Sequence, residues 1–274
     1  MATPDAQTCL TGILGWPVGH SLSPAMHNAA FRALDLNWVY LAFGVEPDRV
    51  TTAVEGLAAA GCRGLNVTIP HKTSVLAACS SRSAAVEAIG AANTLVPDGS
   101  RGFSAENTDA EGFLRALDEA VGEDVAAGRV LLIGAGGAGR AVAHAVRTRG
   151  GHLLVANRTA ERAAALGEVV PFTRDALNQA AAHADLVVNA SSLGMGTDEV
   201  PGELPLDGIT ADLVVNDLVY RPGGTPWLAA AAARGARTVD GLGMLLHQGA
   251  AAFELWTKRT APVAAMRAAL TAAR

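Results

Sequence analysis

The residues of this chain with the plainest chemical purpose form a glycine-rich run. Leu131-Leu132-Ile133 leads directly into Gly134-Ala135-Gly136-Gly137-Ala138-Gly139, and an apolar helical pattern follows. A GxGxxG turn between a buried strand and a helix can hold a pyrophosphate. The first glycine permits the tight turn, the second lets the backbone approach the phosphates, and the third lets the helix sit close to the strand. Backbone N–H groups at the positive end of the helix then stabilise the anion. The next strand pattern ends in Asn157-Arg158-Thr159. A free ribose 2′-hydroxyl calls for an acidic acceptor at this point, whereas an arginine offers a fork of donors to a 2′-phosphate. The predicted cofactor is therefore NADP rather than NAD, held by Gly134, Ala135, Gly136, Gly137 and Ala138 and by Asn157, Arg158 and Thr159. Arg162, further along the same segment, reads either as a second donor or as a solvated residue of the helix start.

A nicotinamide cofactor moves hydride, but oxidising an alcohol also requires proton transfer at the substrate oxygen, which the cofactor does not perform. Lysine can serve, by titrating or by stabilising alkoxide charge, and arginine cannot readily give up its proton. Lysine and arginine number 21 together, and the only lysines are Lys72 and Lys258. A lysine at position 72 fits a site that needs a titratable amine, although Lys258 shows that one is tolerated elsewhere. Taken singly, other polar residues have plain structural readings: Ser21 and Ser23 as helix caps, Lys72 as a surface charge, Asp109 as the cap of the helix after it. His20, His27 and His71 lie near these residues, yet no HxxxH or HxH pair occurs, so structural roles and no metal are expected.

The elements that must carry these groups alternate. Thr8–Leu14 reads as a strand, and 24–34 as a helix with Ser23 at its N-cap and Pro24 at its first position. Val39–Phe43 is a strand, 49–60 a helix ended by Gly61, and 64–69 a strand closed by Pro70. Helices are predicted over 73–78 and 84–89. From residue 112 onward, helix 112–120, strand 128–133, helix 138–149, strand 152–156 and helix 160–166 follow one another. Strands 186–189 and 214–217, helix 225–234 and a helical stretch over 244–274, broken near Pro262, complete the chain. Alternation at this spacing predicts two α/β units, the second a parallel doubly wound sheet.

Composition excludes several classes. Of the 274 residues 50% are hydrophobic and 17% charged, so the chain is expected to bury a substantial core. The net charge of −5, without a basic run, disfavours nucleic acid or a membrane surface as partner. Cys9, Cys62 and Cys79 are odd in number and lack CxxC spacing, which predicts free thiols. No signal-peptide pattern opens the chain and its apolar runs are too short to span a bilayer, so a cytoplasmic location is expected.

Read in order, the segments form a more specific pattern. They are His20-Ser21-Leu22-Ser23-Pro24 with His27-Asn28, Asn66-Val67-Thr68-Ile69-Pro70-His71-Lys72, Gly90-Ala91-Ala92-Asn93-Thr94 and Asn107-Thr108-Asp109. The Gly134–Gly139 turn and Asn157-Arg158-Thr159 follow, then Asp217-Leu218-Val219-Tyr220-Arg221-Pro222, and Gly241-Leu242-Gly243-Met244-Leu245 with Gln248. Over nearly its whole length the chain resembles the shikimate dehydrogenase family. The resemblance implies an N-terminal α/β substrate domain (1–111) to which the C-terminal helices (242–274) return. Between them it implies a Rossmann-type NADP-binding domain (112–241). It also implies a small-molecule ring acid as substrate, and a monomer or homodimer. Ser21 and Ser23 would bind the substrate carboxylate, and Thr68, Asn93, Tyr220 and Gln248 chiefly its hydroxyls. Lys72 and Asp109 would form the catalytic pair, with Leu218 and Gly241 further cofactor contacts. Lys72 as sole base, Asp109 as base and a shared dyad all stay open. Ala105, Ser191 and Ala84 depart from residues common in the family, and none removes a matched catalytic group. Quinate or an amino analogue of shikimate as substrate, a non-catalytic NADP-binding sensor, and a two-domain dehydrogenase acting on folates are the competing readings.

Overall fold

The computed structural model describes residues 4–100, 102–221 and 223–273, with the backbone alone at Glu123. Pro222, at the end of the Asp217 block, lies outside the described residues. The fold is α/β and divides into two compact units. One contains the chain through Thr108 together with Leu246–Ala273, and the other is Asp109–Leu245.

In the first unit, strands β1 (Cys9–Gly15), β2 (Trp38–Gly44), β3 (Leu65–Val67), β4 (Ser81–Arg82), β5 (Thr94–Pro97) and β6 (Phe103–Glu106) form one sheet in the order β2-β1-β3-β5-β6-β4. β1 lies parallel to β2 and β3, whereas β3–β5 and β5–β6 are antiparallel. Helices α1 (Ser23–Ala33), α2 (Val50–Ala59) and α3 (Ala84–Ile89) follow β1, β2 and β4. Leu14, Val54, Leu65, Val75, Val86, Leu95 and Phe103 pack into one buried cluster. Each large aliphatic or aromatic side chain buried in this way contributes roughly 1.5–3 kcal/mol.

Three expectations change here. Ser23 is the first residue of α1 and not its N-cap; Leu22 holds that position with no side-chain cap. The chain has already turned before Ser23, because Ser21 Oγ accepts the Ser23 N–H at 3.3 Å. Pro24 is accordingly the second helical residue. The helix expected over 73–78 is a 3-10 helix at Ser74–Ala78, as is common for short connecting helices. The strand expected over 64–69 ends at Val67, before the turn that carries Pro70.

In the second unit every strand is parallel. β7 (Arg129–Ile133), β8 (His152–Ala156), β9 (Glu168–Val169), β10 (Leu186–Asn189), β11 (Val214–Asp217) and β12 (Arg237–Asp240) are ordered β12-β11-β10-β7-β8-β9. The chain runs outward from β7 to β9, then returns to β10 on the other side of β7. This reversal creates a crevice at the carboxyl ends of β7 and β10, where doubly wound sheets take ligands. Helices α4 (Asp109–Val121), α5 (Gly137–Thr148), α6 (Ala160–Ala164), α7 (Arg174–Ala181) and α8 (Pro226–Ala232) connect or flank the strands. Leu131, Ile133, Leu154, Val187, Val215 and Trp227 form the buried core of this unit. Trp227 satisfies its indole N–H on Pro205 O at 2.9 Å. Helices α9 (Gly241–Thr257) and α10 (Val263–Ala272) end the chain, and among the described residues no helix is long and apolar enough to cross a membrane.

Candidate functional site

The first unit carries a buried polar network centred on Asn93, which is 2% exposed. Asn93 Nδ2 donates to Thr108 Oγ1 at 2.9 Å and to Gln248 Oε1 at 3.1 Å. Its Oδ1 accepts the Thr108 backbone N–H at 2.8 Å and the Thr94 hydroxyl at 3.1 Å. Behind it, Asn66 Nδ2 donates to Asn93 O and Thr94 Oγ1, both at 3.2 Å, and Asn66 Oδ1 accepts the Tyr40 hydroxyl at 2.7 Å. In a low-dielectric core an amide left without partners costs about 1–3 kcal/mol, so these bonds dictate one arrangement. Of this set Asn93 and Gln248 were expected at the site. Tyr40, Asn66, Thr94 and Thr108 were given no role; for the first three, polar residues inside otherwise apolar strands are the signal that finds them.

The network also places backbone. Ala92 N–H is donated to Lys72 O at 2.8 Å, and Asn107 Nδ2 donates to Ala91 O at 2.9 Å. The segment bearing Lys72 and the one leading through Thr108 to Asp109 are thus both fastened to residues 91–93. Lys72 is half-buried. Asp109, 3% exposed, is the first residue of α4 and of the second unit, at a helix N-terminus that favours its negative charge.

Ser21, Ser23 and Thr68 belong to the same unit. Ser21 lies two residues before, and Ser23 at, the first position of the eleven-residue α1, where unpaired N–H groups and the helix dipole favour an anion. Ser23 is buried, yet its hydroxyl has no hydrogen-bond partner among the described residues, and the same holds for the half-buried Thr68. His27, on the buried face of this helix, stacks on Tyr40 at 4.4 Å between ring centroids, and burial pushes its imidazole down to about 3. It is a neutral packing group.

In the second unit the glycine-rich turn joins β7 to α5 at the crevice. Gly134 adopts φ +107°, which excludes other residues without strain. A side chain at Gly139 would collide with the Gly134 carbonyl, whereas one at Gly136 would meet no protein atom within 4 Å. Gly136 has φ −79°, open to any residue. The third glycine therefore serves the fold, and the second keeps open the space a pyrophosphate needs. Gly137 and Ala138 begin α5, and the Ala135 N–H is donated to Asn157 Oδ1 at 3.1 Å. Asn157 Nδ2 in turn donates to Thr159 O at 2.9 Å, so the loops after β7 and β8 are tied together. Arg158 and Arg162 are exposed, and neither guanidinium has an ion-pair or hydrogen-bond partner among the described residues. No acidic side chain stands between β8 and α6. These residues fit a dinucleotide with a 2′-phosphate.

Across the crevice, Asn189 and Asp217 hold the loops after β10 and β11. Asn189 Oδ1 accepts from Ser191 N and Oγ at 3.1 and 2.6 Å, which gives Ser191 a structural role, and Asn189 Nδ2 donates to Asp217 Oδ1 at 2.9 Å. Asp217, fully buried, also accepts from Val219 N at 3.1 Å and Thr225 Oγ1 at 2.8 Å. This carboxylate organises the segment carrying Leu218 and Tyr220, and sequence reasoning did not single it out. Leu218 and Gly241 come together, since a side chain at Gly241 would strike the Leu218 carbonyl. Tyr220 is half-buried in the same loop. Among the described residues no cluster of three or more His, Cys, Asp or Glu is arranged to hold a metal.

Comparison with known proteins gives three family matches in order. Residues 13–95 match the shikimate dehydrogenase substrate binding domain, 116–194 the shikimate / quinate 5-dehydrogenase model, and 241–271 the shikimate 5′-dehydrogenase C-terminal domain. A shikimate dehydrogenase (NADP(+)) of Methanopyrus kandleri is 46% identical over 97% of this chain and 96% of its own length. The crystal structure of shikimate 5-dehydrogenase from Thermus thermophilus, in complex with NADP(H) and shikimate, has a TM-score of 0.86 at 37% identity. That match covers 97% of this chain and 100% of the other. A quinate dehydrogenase from Corynebacterium glutamicum in complex with NAD has a TM-score of 0.87 at 33% identity, over 97% and 99% of the two chains.

The geometry of the second unit separates the roles of its glycines. Gly139→Ala lowers Tm, with a cost of about 1–3 kcal/mol for the forced backbone shift, while Gly136→Ala leaves Tm unchanged and raises the KM for the dinucleotide. Thermal melts and cofactor titration of both variants check this, and equal effects would contradict it. For Asp217, burial outweighs its three hydrogen bonds and pushes the carboxyl up to about 6 from its ordinary 3.8. The folded chain then binds the proton more tightly than the unfolded chain, so its stability falls as pH rises between those two values, by up to about 1.4 kcal/mol per pH unit. In Asp217→Asn, Oδ1 keeps its two donors and Nδ2 donates to Thr225. Denaturant unfolding from pH 4 to 7 is expected to show wild type losing stability relative to this variant, and parallel curves would overturn the assignment.

Proposed function

The chain belongs to the shikimate dehydrogenase family, and from that premise we propose that it catalyses the reversible NADPH-dependent reduction of 3-dehydroshikimate to shikimate. The observation that carries the substrate half is the pair of unpartnered hydroxyls, Ser23 and Thr68, in the same unit as the Asn93–Gln248 network. An α-helix N-terminus with serine hydroxyls suits a carboxylate, and amide and hydroxyl groups held by other bonds suit the ring hydroxyls. Ser21 and Ser23 take the carboxylate; Thr68, Asn93, Gln248 and Tyr220 take the hydroxyls. The first unit thereby serves as substrate domain and the second as cofactor domain. Arg158 and Arg162 receive the 2′-phosphate, Asn157 and Thr159 shape that end of the site, and Gly134–Ala138, Leu218 and Gly241 line the rest.

When bound, NADP supplies the hydride acceptor or donor. In the oxidative direction the carbinol C–H bond breaks with its electron pair, and the hydroxyl O–H proton leaves to the Lys72/Asp109 pair. Reduction returns both. Lys72 holds or moves that proton at the substrate oxygen and opposes alkoxide charge, while Asp109 orients the amine. Preorganised groups of this kind act without reorganisation when charge develops. The proposed setting is the cytoplasm, with the enzyme a monomer or homodimer.

Steady-state assays with shikimate and quinate, each with NADP+ and NAD+, test the reading. Shikimate with NADP+ is expected to give the highest kcat/KM, and equal or better turnover of quinate with NAD+ would replace it with a quinate dehydrogenase. Lys72→Ala and Asp109→Ala are each expected to lower kcat by ~10²-fold or more. Tight NADP+ binding with no turnover in wild type would favour a sensor.

A further inference from the structure

We propose that His71 is a positioning residue for Lys72, acting through a single buried hydrogen bond to a distant carbonyl. The inference rests on the reading of Lys72 as the proton-handling group. Residues 68–73 follow β3 as a turn with little to bury: Ile69 is 60% exposed, Pro70 and Thr73 are exposed, and Thr68 and Lys72 are half-buried. His71 alone in this stretch is fully buried. Its Nε2 lies 2.7 Å from Val45 O, an acceptor only, so Nε2 carries the proton. Val45 is itself fastened to β1 by its N–H to Gly15 O at 3.0 Å.

The backbone on either side amplifies the effect of this bond. His71 N–H closes the turn on Thr68 O at 2.9 Å, and His71 O accepts Val75 N–H at 2.9 Å. Lys72 O is held by Ala92 N–H at 2.8 Å. Thr68 N–H is also donated to Leu14 O at 2.9 Å and Trp16 N–H to Ile69 O at 3.0 Å, so backbone bonds fix the course of the turn, and the imidazole is its one fully buried side chain. Adjacent to Lys72 in the chain, the anchored ring helps set how deep the Cα of Lys72 sits and which way its side chain leaves. Nδ1 is buried without a partner in the described structure, so the bond to Val45 O is the one hydrogen bond that orients the ring within its packing. Small misplacements of a reacting group cost large factors in rate, up to ~10²-fold for about 1 Å.

The variants separate positioning from mere packing. His71→Phe fills the site but removes the donor, His71→Asn keeps polarity but is too short to reach Val45 O, and His71→Gln places an amide donor near the Nε2 position. At a temperature where circular dichroism shows each variant folded, His71→Phe and His71→Asn are expected to lose ~10-fold or more in kcat. KM for shikimate stays within about threefold in both, and His71→Gln recovers most of the loss. In a Lys72→Ala background His71→Phe is expected to cost nothing further, because the group it positions is gone. Wild-type kcat in His71→Phe and His71→Asn, or the same fractional loss with and without Lys72, would overturn the proposal. Should His71→Phe not fold, His71→Asn and its Lys72→Ala double variant carry the same comparison. Full activity in Lys72→Ala would instead overturn the Lys72 reading, so the two failures are distinguishable.

Discussion

The side chain of Asn93 is the constraint on which the first unit depends. A buried amide must place two donors and an oxygen, and here each finds partners on a different part of the chain: Thr94 beside it, Thr108 after β6, Gln248 on α9. Because unmet bonds in a core are costly, no partner can move independently. The backbone of residues 91–92 then holds Lys72 and Asn107. The residue proposed to meet substrate hydroxyls is thus also the point at which the segments bearing Lys72 and Asn107 are joined, and in the proposed function rigidity in the network becomes orientation in the chemistry.

The second unit solves a different problem, close approach instead of hydrogen-bond satisfaction. Gly134 and Gly139 let α5 press against the end of β7, and Gly136 leaves space that the protein does not use. Asp217 contributes the opposite wall at an electrostatic cost, since its carboxyl is buried and pushed up to about 6 although it has three donors. The arginines after β8 have no partners among the described residues, and their guanidinium donors suit a phosphate.

The central strands of the parallel sheet were legible because they are buried on both faces, and β8, β10 and β11 fall where their apolar runs lie. Others were not. β5 and β6 form a short hairpin whose turn is built by Asp98 accepting from Ser100 N and Gly102 N, a local device with no periodic signal. β9 has two residues, and β12 is largely exposed in its first half. Ser23 was read as a cap because serine before proline so often is one; Ser21 had made the turn first. Among the site residues, the glycine-rich turn and Arg158 carry their chemistry in their spacing. Ser21, Ser23, Thr68 and Gln248 were recognisable only through resemblance, since a hydroxyl or amide acquires meaning from what does or does not bond to it. Tyr40, Asn66 and His71 reveal their roles only once burial and partners are known.

The most direct test of this account is the effect of Asn93→Ala on turnover and on cofactor binding, measured together on folded protein. Shikimate-dependent NADP+ reduction is expected to fall by ~10²-fold or more, because substrate contacts and the fastening of the catalytic segments go together. The Kd for NADPH, followed by fluorescence titration, is expected to stay within about twofold, since the glycine-rich turn and Arg158 belong to the other unit. Wild-type turnover in this variant would contradict the central role given to the Asn93 network.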